Sequence, residues 1–174
     1  MKRSLCILIA CLFVLNKMDA QTNMKEFQVG HPFYVSLPDY MIKTSGLNSA
    51  SAIQFKSEVK DVYGFIIEDN KEEMALVDIV FTSIGEFYED FIKDFLLDEK
   101  KRQITKPVYS KNGEINFAEA DATYFDKEAD TEIYYLVGIV ETKTSFYKVL
   151  SWSTVANKDK FKADFQKIIY SLRD

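Results

Sequence analysis

Residues 132–140, with the sequence EIYYLVGIV, most constrain the fold because a strand here is apolar on both sides. Alternate side chains of a strand point to opposite faces of the sheet. One face receives Ile133, Tyr135, Val137 and Ile139, and the other receives Tyr134, Leu136 and Val140. A strand of this kind must be covered on both faces, which predicts a central sheet with a layer on each side.

The residues that follow predict the partner strand and one of the two covers. Residues 141–145 are a polar turn, and residues 146–154 form a second strand with Trp152 near its end. Asn157 can cap a helix at its N-terminus. The apolar positions of that helix recur at helical spacing and are Phe161, Phe165, Ile168, Ile169 and Leu172.

The rest of the chain supplies more strands and a second amphipathic helix. Strands are predicted at residues 33–37, 52–59, 62–68, 103–110 and 114–125, with a polar lead at 21–26 and a loop at 43–50. Residues 72–81 fit a helix or a strand, and we interpret them as a loop or short helix. Ser83 and Glu86 have the spacing of a capping box and start a helix that runs to about residue 97. We therefore predict an α+β fold with an antiparallel sheet sandwiched between helices (α/β/α).

The first twenty residues have the pattern of a secretory signal peptide. Lys2 and Arg3 precede an apolar run at residues 5–15, which is too short to span a bilayer as a helix. We expect cleavage after Ala20, which leaves residues 21–174 as a single exported domain in the periplasm or outside the cell. An alternative is a lipid anchor on Cys11, because residues 8–11 (LIAC) resemble a bacterial lipobox.

Composition excludes several classes of function for the mature chain. Both cysteines, Cys6 and Cys11, lie in the signal segment, so thiol catalysis and cysteine-ligated zinc are excluded. Loss of residues 1–20 takes the net charge from −5 to −7, which argues against nucleic acid and anionic membranes as partners.

Three local strings resemble the PsbP-like family. They are FYVSLPDY at residues 33–40, AIQF at 52–55, and FYKV at 146–149 followed by the apolar positions of the last helix. That family includes the photosystem II extrinsic subunit, the yeast Mog protein and DcrB-like bacterial exported proteins. The resemblance implies a sheet between helices and a role in assembly or interaction rather than a shared enzymatic activity, and it transfers no site residue.

The candidate catalytic and metal-binding residues are few. His31 is the single histidine, so no multi-histidine site can form, and we expect it to be a surface or loop residue. Glu119 and Asp121 share one side of a strand and could act as an acid–base pair, but we interpret them as an exposed strand end. Residues 126–132 (DKEADTE) space their carboxylates as a calcium loop does, but the loop lacks the EF-hand glycine, so we expect no metal and no cofactor.

Aromatic residues concentrate on the hairpin at residues 132–154. Tyr134, Tyr147 and Trp152 suit a contact surface, but we interpret the cluster first as ordinary strand packing in the core. For Trp152 we expect burial against a helix. The sequence favours an exported, non-enzymatic accessory domain with a protein partner. The alternatives are a binder of a small apolar ligand between the sheet and residues 38–50, and a hydrolase with scattered carboxylates.

Overall fold

The protein is described by a computed structural model that covers residues 22–30 and 33–174. The signal segment, both cysteines and His31 lie outside these residues, so the predictions made for them stay predictions. Ten strands and three α-helices occur in the described part of the chain. The strands are β1 (Met24–Val29), β2 (Phe33–Pro38), β3 (Ile42–Thr44), β4 (Ile53–Ser57), β5 (Val62–Asn70), β6 (Lys100–Ile104), β7 (Val108–Asn112), β8 (Ile115–Asp126), β9 (Thr131–Glu141) and β10 (Ser145–Thr154). The helices are α1 (Lys71–Ala75), α2 (Ile84–Asp94) and α3 (Lys158–Ser171).

Eight of the strands form one antiparallel sheet in the order β3-β4-β5-β10-β9-β8-β6, and β7 also pairs with β8. β9 lies between β10 and β8, as its two apolar sides require. β1 and β2 form a separate antiparallel hairpin. The predicted antiparallel sheet between helices is confirmed.

Each face of the large sheet has its own cover and its own apolar core. On the α3 face, α3 and β2 cover a core that includes Tyr134, Leu136 and Val140 of β9. On the α2 face, α2 covers a core that includes Val137 and Ile139 of the same strand. The five apolar positions predicted for the last helix are all buried in the α3 core, which confirms the helical spacing of the sequence.

Four local predictions need correction. The second half of the polar lead at 21–26, from Met24, belongs to β1, because its backbone pairs with β2 whatever its side chains are. The predicted loop at 43–50 begins inside β3, a short edge strand paired with β4. The strand predicted at 52–59 ends at Ser57, and a 3₁₀ turn follows at Glu58–Lys60. The single strand predicted at 103–110 is two strands, β6 and β7, which pair with different halves of β8 on either side of Pro107.

The helix starts agree with the sequence in position and differ in detail. Ser83 Oγ accepts a hydrogen bond from Glu86 N, as the capping box predicts, but Glu86 Oε2 accepts from Thr82 N. Asn157 occupies the N-cap of α3, yet its side chain makes no cap bond and donates to Thr154 Oγ1 instead. Residues 72–81 contain the end of α1 and a loop, as interpreted from the sequence.

Candidate functional site

Tyr134 and Tyr147, two of the three predicted contact residues, are core residues of the α3 face. Both side chains are 0% exposed. Tyr134 donates a hydrogen bond to Asp121 Oδ1 at 2.8 Å, and the Tyr147 ring packs edge-on against Phe33 with centroids 4.8 Å apart. Burial raises the pKa of both phenols far above its usual range. Neither side chain reaches the protein surface.

Trp152 lies on the opposite face of the sheet from these tyrosines. It sits directly across from Tyr63 on β5 and Tyr135 on β9, and its ring stacks on both, at centroid distances of 5.6 and 5.2 Å. Phe65 meets it edge-on at 5.8 Å. The side chain is partly buried and packs against the apolar core of the α2 face. Its aromatic contacts come from neighbouring strands and not, as had been expected, from a helix.

Glu119 and Asp121 are not an exposed strand end, since α3 lies over this side of β8. Asp121 pairs with Lys158 and Lys162 of α3, each at 2.8 Å. Burial opposes its ionisation, but hydrogen bonds from the two lysines and Tyr134 outweigh burial and lower its pKa. Glu119 is 8% exposed and accepts from Gln166 of α3 at 2.7 Å. Both carboxylates fasten the helix to the sheet rather than face a cleft.

Two further sites were considered from the sequence: the acidic loop at residues 126–132 and the space beside residues 38–50. Asp126 Oδ1 accepts from the backbone amides of Glu128 and Ala129, which closes the hairpin between β8 and β9. Over the described residues, no group of three His, Cys, Asp or Glu side chains is placed to hold a metal ion. Beside residues 38–50 is a cleft of about 240 Å³ whose lining is mostly polar, including Lys43, Thr44 and Gln54.

A cleft with apolar walls lies instead on the α2 face, between α2, the chain segment before it and strands β5 and β10. It has a volume of about 440 Å³, and we call it the α2 cleft. Its apolar lining consists of Met74, Ile79, Phe81, Phe87, Phe91 and Phe95. Its polar lining consists of Asp69, Asp90, Asp94 and Lys148.

Lys148 of β10 stands among aromatic rings in the α2 cleft. Its ammonium lies 2.8 Å from Asp69 Oδ2 and 5.7 and 5.8 Å from the ring centroids of Phe87 and Phe91. The Asp69 contact is an ion pair without the alignment of a hydrogen bond. The lysine charge is therefore compensated inside the cleft by Asp69 and by two ring faces.

An exposed apolar loop at residues 76–80 borders the α2 cleft, and we call it the apolar loop. Leu76 is 86% exposed, Val77 65%, Ile79 47% and Val80 71%. Single exposed apolar side chains are ordinary, but here four of five consecutive residues are exposed and apolar, and larger exposed apolar surfaces mark binding sites.

Backbone hydrogen bonds hold this loop in one shape. Ile79 N donates to Met74 O and Asp78 N donates to Ala75 O, which together form a Schellman motif at the end of α1. Asp78 takes the left-handed position of that motif, at φ 60°, where glycine is usual. The motif turns Ile79 into the α2 cleft beside Met74 and leaves its neighbours exposed. The exposed apolar side chains are thus presented by a defined turn.

No pattern in the sequence predicted the apolar loop or the α2 cleft as a site. Residues 72–81 fit a helix or a strand, and that ambiguity in a mainly apolar stretch was the one available signal. Which side chains line the cleft depends on how α2 meets β5 and β10, which periodicity does not reveal.

No family model and no curated protein matches the chain. Solved structures do. Cyanobacterial PsbP from Synechocystis sp. PCC 6803 superposes with a TM-score of 0.61 at 12% identity, over 92% of this chain and 98% of that one. LpqN, a protein involved in cell envelope biogenesis of Mycobacterium tuberculosis, gives 0.57 at 9% identity, over 88% and 91%. A protein of unknown function from Pseudomonas aeruginosa gives 0.50 at 7% identity, over 87% and 97%.

Across the described residues, no helix is both long and apolar enough to cross a membrane. The matches to cyanobacterial PsbP and LpqN extend over most of this chain and most of those chains. At sequence identities of 12% and 9%, the similarity shows a shared fold. The resemblance stated from the sequence is thereby confirmed for the fold: this chain is a domain of the PsbP-like fold.

Proposed function

We propose that this chain is an exported, non-enzymatic accessory domain that binds another protein through the apolar loop and the α2 cleft. The observation that carries the proposal is the apolar loop, whose four large aliphatic side chains are held exposed by a hydrogen-bonded turn. Burying such a patch in a complex gains about 25 cal/mol for each Å² of apolar surface removed from water. The adjoining cleft offers further apolar surface to the same partner.

The proposal of export rests on the sequence of residues 1–20. The proposal of a non-enzymatic role rests on the contacts that already occupy the candidate catalytic side chains. Glu119 and Asp121 are engaged by α3, and Tyr134 and Tyr147 are core residues. The neighbour LpqN is involved in cell envelope biogenesis, which supports the proposal of an envelope location for this chain. A periplasmic or secreted protein is consistent with all of these observations.

Binding of a small apolar ligand beside residues 38–50 is the weaker candidate. Ligand sites usually have volumes of about 300–1,000 Å³ and mostly apolar walls. The cleft there is about 240 Å³ and mainly polar. Gln54 Oε1 also accepts hydrogen bonds from Leu47 N and Asn48 N, which fixes the loop against the sheet.

Capture from a native envelope extract tests the proposal. The bait is the mature chain, and Leu76→Ser/Val80→Ser should lose the captured partner while the melting temperature stays nearly constant, since surface changes usually cost less than about 0.5 kcal/mol. Val59→Ser is the matched control, because Val59 is 99% exposed in the 3₁₀ turn after β4, outside the proposed surface. Equal capture by the double variant and the control would contradict the proposal.

A further inference from the structure

The acidic residues of the chain are concentrated around the apolar loop and the α2 cleft. Residues 68–99 contain eleven acidic and two basic residues, a net charge of −9, whereas residues 21–174 together have −7. The remainder of the mature chain is therefore net positive, by +2. The negative charge of this protein is thus a local property of the segment that builds the proposed contact surface.

Both lysines within that segment are already engaged. The Lys71 ammonium binds Glu141 Oε1 at 2.9 Å and Thr142 O at 2.8 Å. Lys93 pairs with Asp90, one of the carboxylates that line the α2 cleft, and both side chains are exposed. Asp78 of the apolar loop and Asp94 of the cleft wall form no ion pair with any described residue.

The placement of these carboxylates sets the chemistry of the partner. Asp78 lies between the exposed Val77 and Ile79, and Asp94 lines the cleft beside Phe95. A carboxylate that loses water on docking needs an opposite charge or a hydrogen-bond donor from the partner. A partner that buries the aliphatic side chains must therefore bring positive charge to the same surface.

We infer that the apolar loop and the α2 cleft dock a segment of another protein that carries large apolar side chains flanked by lysine or arginine. This inference rests on the proposed function and names the partner chemistry of the same surface. Two other occupants are disfavoured by charge. An anionic membrane and the same surface of a second copy both present negative charge to a segment of net charge −9.

Synthetic peptides test this inference on the mature chain by calorimetric titration. The probe is an eighteen-residue amphipathic peptide of leucine and lysine, compared with the same peptide carrying glutamate for lysine and with one carrying serine for leucine. We expect the leucine–lysine peptide alone to bind, and its affinity to fall as salt is raised from 20 to 300 mM, since the Debye length shortens from about 20 to about 6 Å.

A matched pair of charge variants locates the binding. Asp78→Asn/Asp94→Asn removes two charges at the surface, and asparagine keeps the left-handed conformation of residue 78. Glu128→Gln/Asp130→Asn removes two charges at the tip of the hairpin between β8 and β9, and residue 130 is also left-handed, at φ 49°. We expect the first variant to weaken binding about three- to tenfold, as loss of two close charge contacts does, and the second to leave binding unchanged.

Four results would overturn the inference. The first two are failure of the leucine–lysine peptide to bind and equal weakening of its binding by both charge variants. The other two are binding of phosphatidylcholine or phosphatidylglycerol vesicles that Leu76→Ser abolishes, and formation of a dimer in sedimentation that Leu76→Ser dissociates. If the leucine–lysine peptide does not bind while capture from the envelope extract still depends on the apolar loop, the proposed function stands and only the inferred partner chemistry is wrong. If capture does not depend on the loop, the proposed function itself fails.

Discussion

Gly138, in the middle of β9, allows α3 to lie close to the sheet. A Cβ atom at this position would lie 2.5 Å from Ile169 Cδ1 and 2.6 Å from Ile169 Cγ1, well inside van der Waals contact. Ile169 is 1% exposed and belongs to the core of the α3 face. The change Gly138→Ala should therefore force the Ile169 side chain, or the helix, away from the sheet.

The expected cost combines two opposing effects. Alanine in a strand is favoured over glycine by roughly 0.5–1 kcal/mol, because it loses less conformational freedom on folding. Overpacking of a filled core costs typically about 1–3 kcal/mol. Together these ranges allow a net loss of about 0–2.5 kcal/mol. Because the added Cβ would lie within 2.6 Å of two Ile169 atoms, we expect a loss of about 1–2 kcal/mol, which lowers the melting temperature of a domain of this size by roughly 2–8 °C.

Thermal and urea unfolding followed by circular dichroism measure this loss. Gly85→Ala is the control, since its Cβ would meet nothing nearer than Tyr109 OH at 3.6 Å and should be neutral or slightly stabilising. Ile169→Ala alone should cost about 2–5 kcal/mol. In the double variant the two losses should be less than additive by roughly 0.5–3 kcal/mol, because the new methyl group occupies the vacated space. A neutral Gly138→Ala, or strict additivity with Ile169→Ala, would refute the argument.

Two further predictions concern the sheet faces. Trp152→Ala should destabilise the fold by about 1–3 kcal/mol, the sum of two ring stacks at about 0.5–1.5 kcal/mol each, and the wild-type fluorescence maximum should lie between those of a buried and an unfolded tryptophan. Asp121→Asn should flatten the acid side of the stability profile. The folded-state pKa of Asp121 is lowered, so its ion pairs stabilise the fold above the unfolded pKa of about 3.9 and are lost as pH falls through the folded value.

Each of these has a clear contrary result. Tryptophan emission as red as that of the unfolded chain would show that the Tyr63 and Tyr135 stacks do not form. A difference in melting temperature between Asp121→Asn and wild type that stays constant between about pH 6 and pH 2 would show that the carboxylate is not ion-paired, since the difference should shrink as Asp121 protonates.

Patterns within single segments determined much of the fold. The two apolar sides of β9 require a sheet covered on both faces, and the spacing from Phe161 to Leu172 requires a helix on one of them. Both features follow from the geometry of one strand or one helix, and the structure confirms both. The resemblance to the PsbP-like family depended on the same core positions, which is why it predicted architecture.

The surroundings of each residue were decided by the tertiary structure. Trp152 shares its side of β10 with the buried Phe146 and Leu150, but the rings that stack on it belong to neighbouring strands, which the sequence of β10 does not reveal. From the sequence we expected Glu119 and Asp121 to be exposed. In the structure α3, which begins more than thirty residues further along the chain, packs over both carboxylates. β1 carries no apolar alternation and is a strand because the distant backbone of β2 pairs with it.

The candidate site shows the same division. The sequence alone contains the acidic density of residues 68–99 and the aliphatic letters of the apolar loop. It cannot say that those aliphatic side chains are exposed, because a short apolar run is more often buried in a core. Their exposure follows from the Schellman turn after α1 and from the contact of α2 with β10, and both depend on hydrogen bonds and packing that form only when the chain has folded.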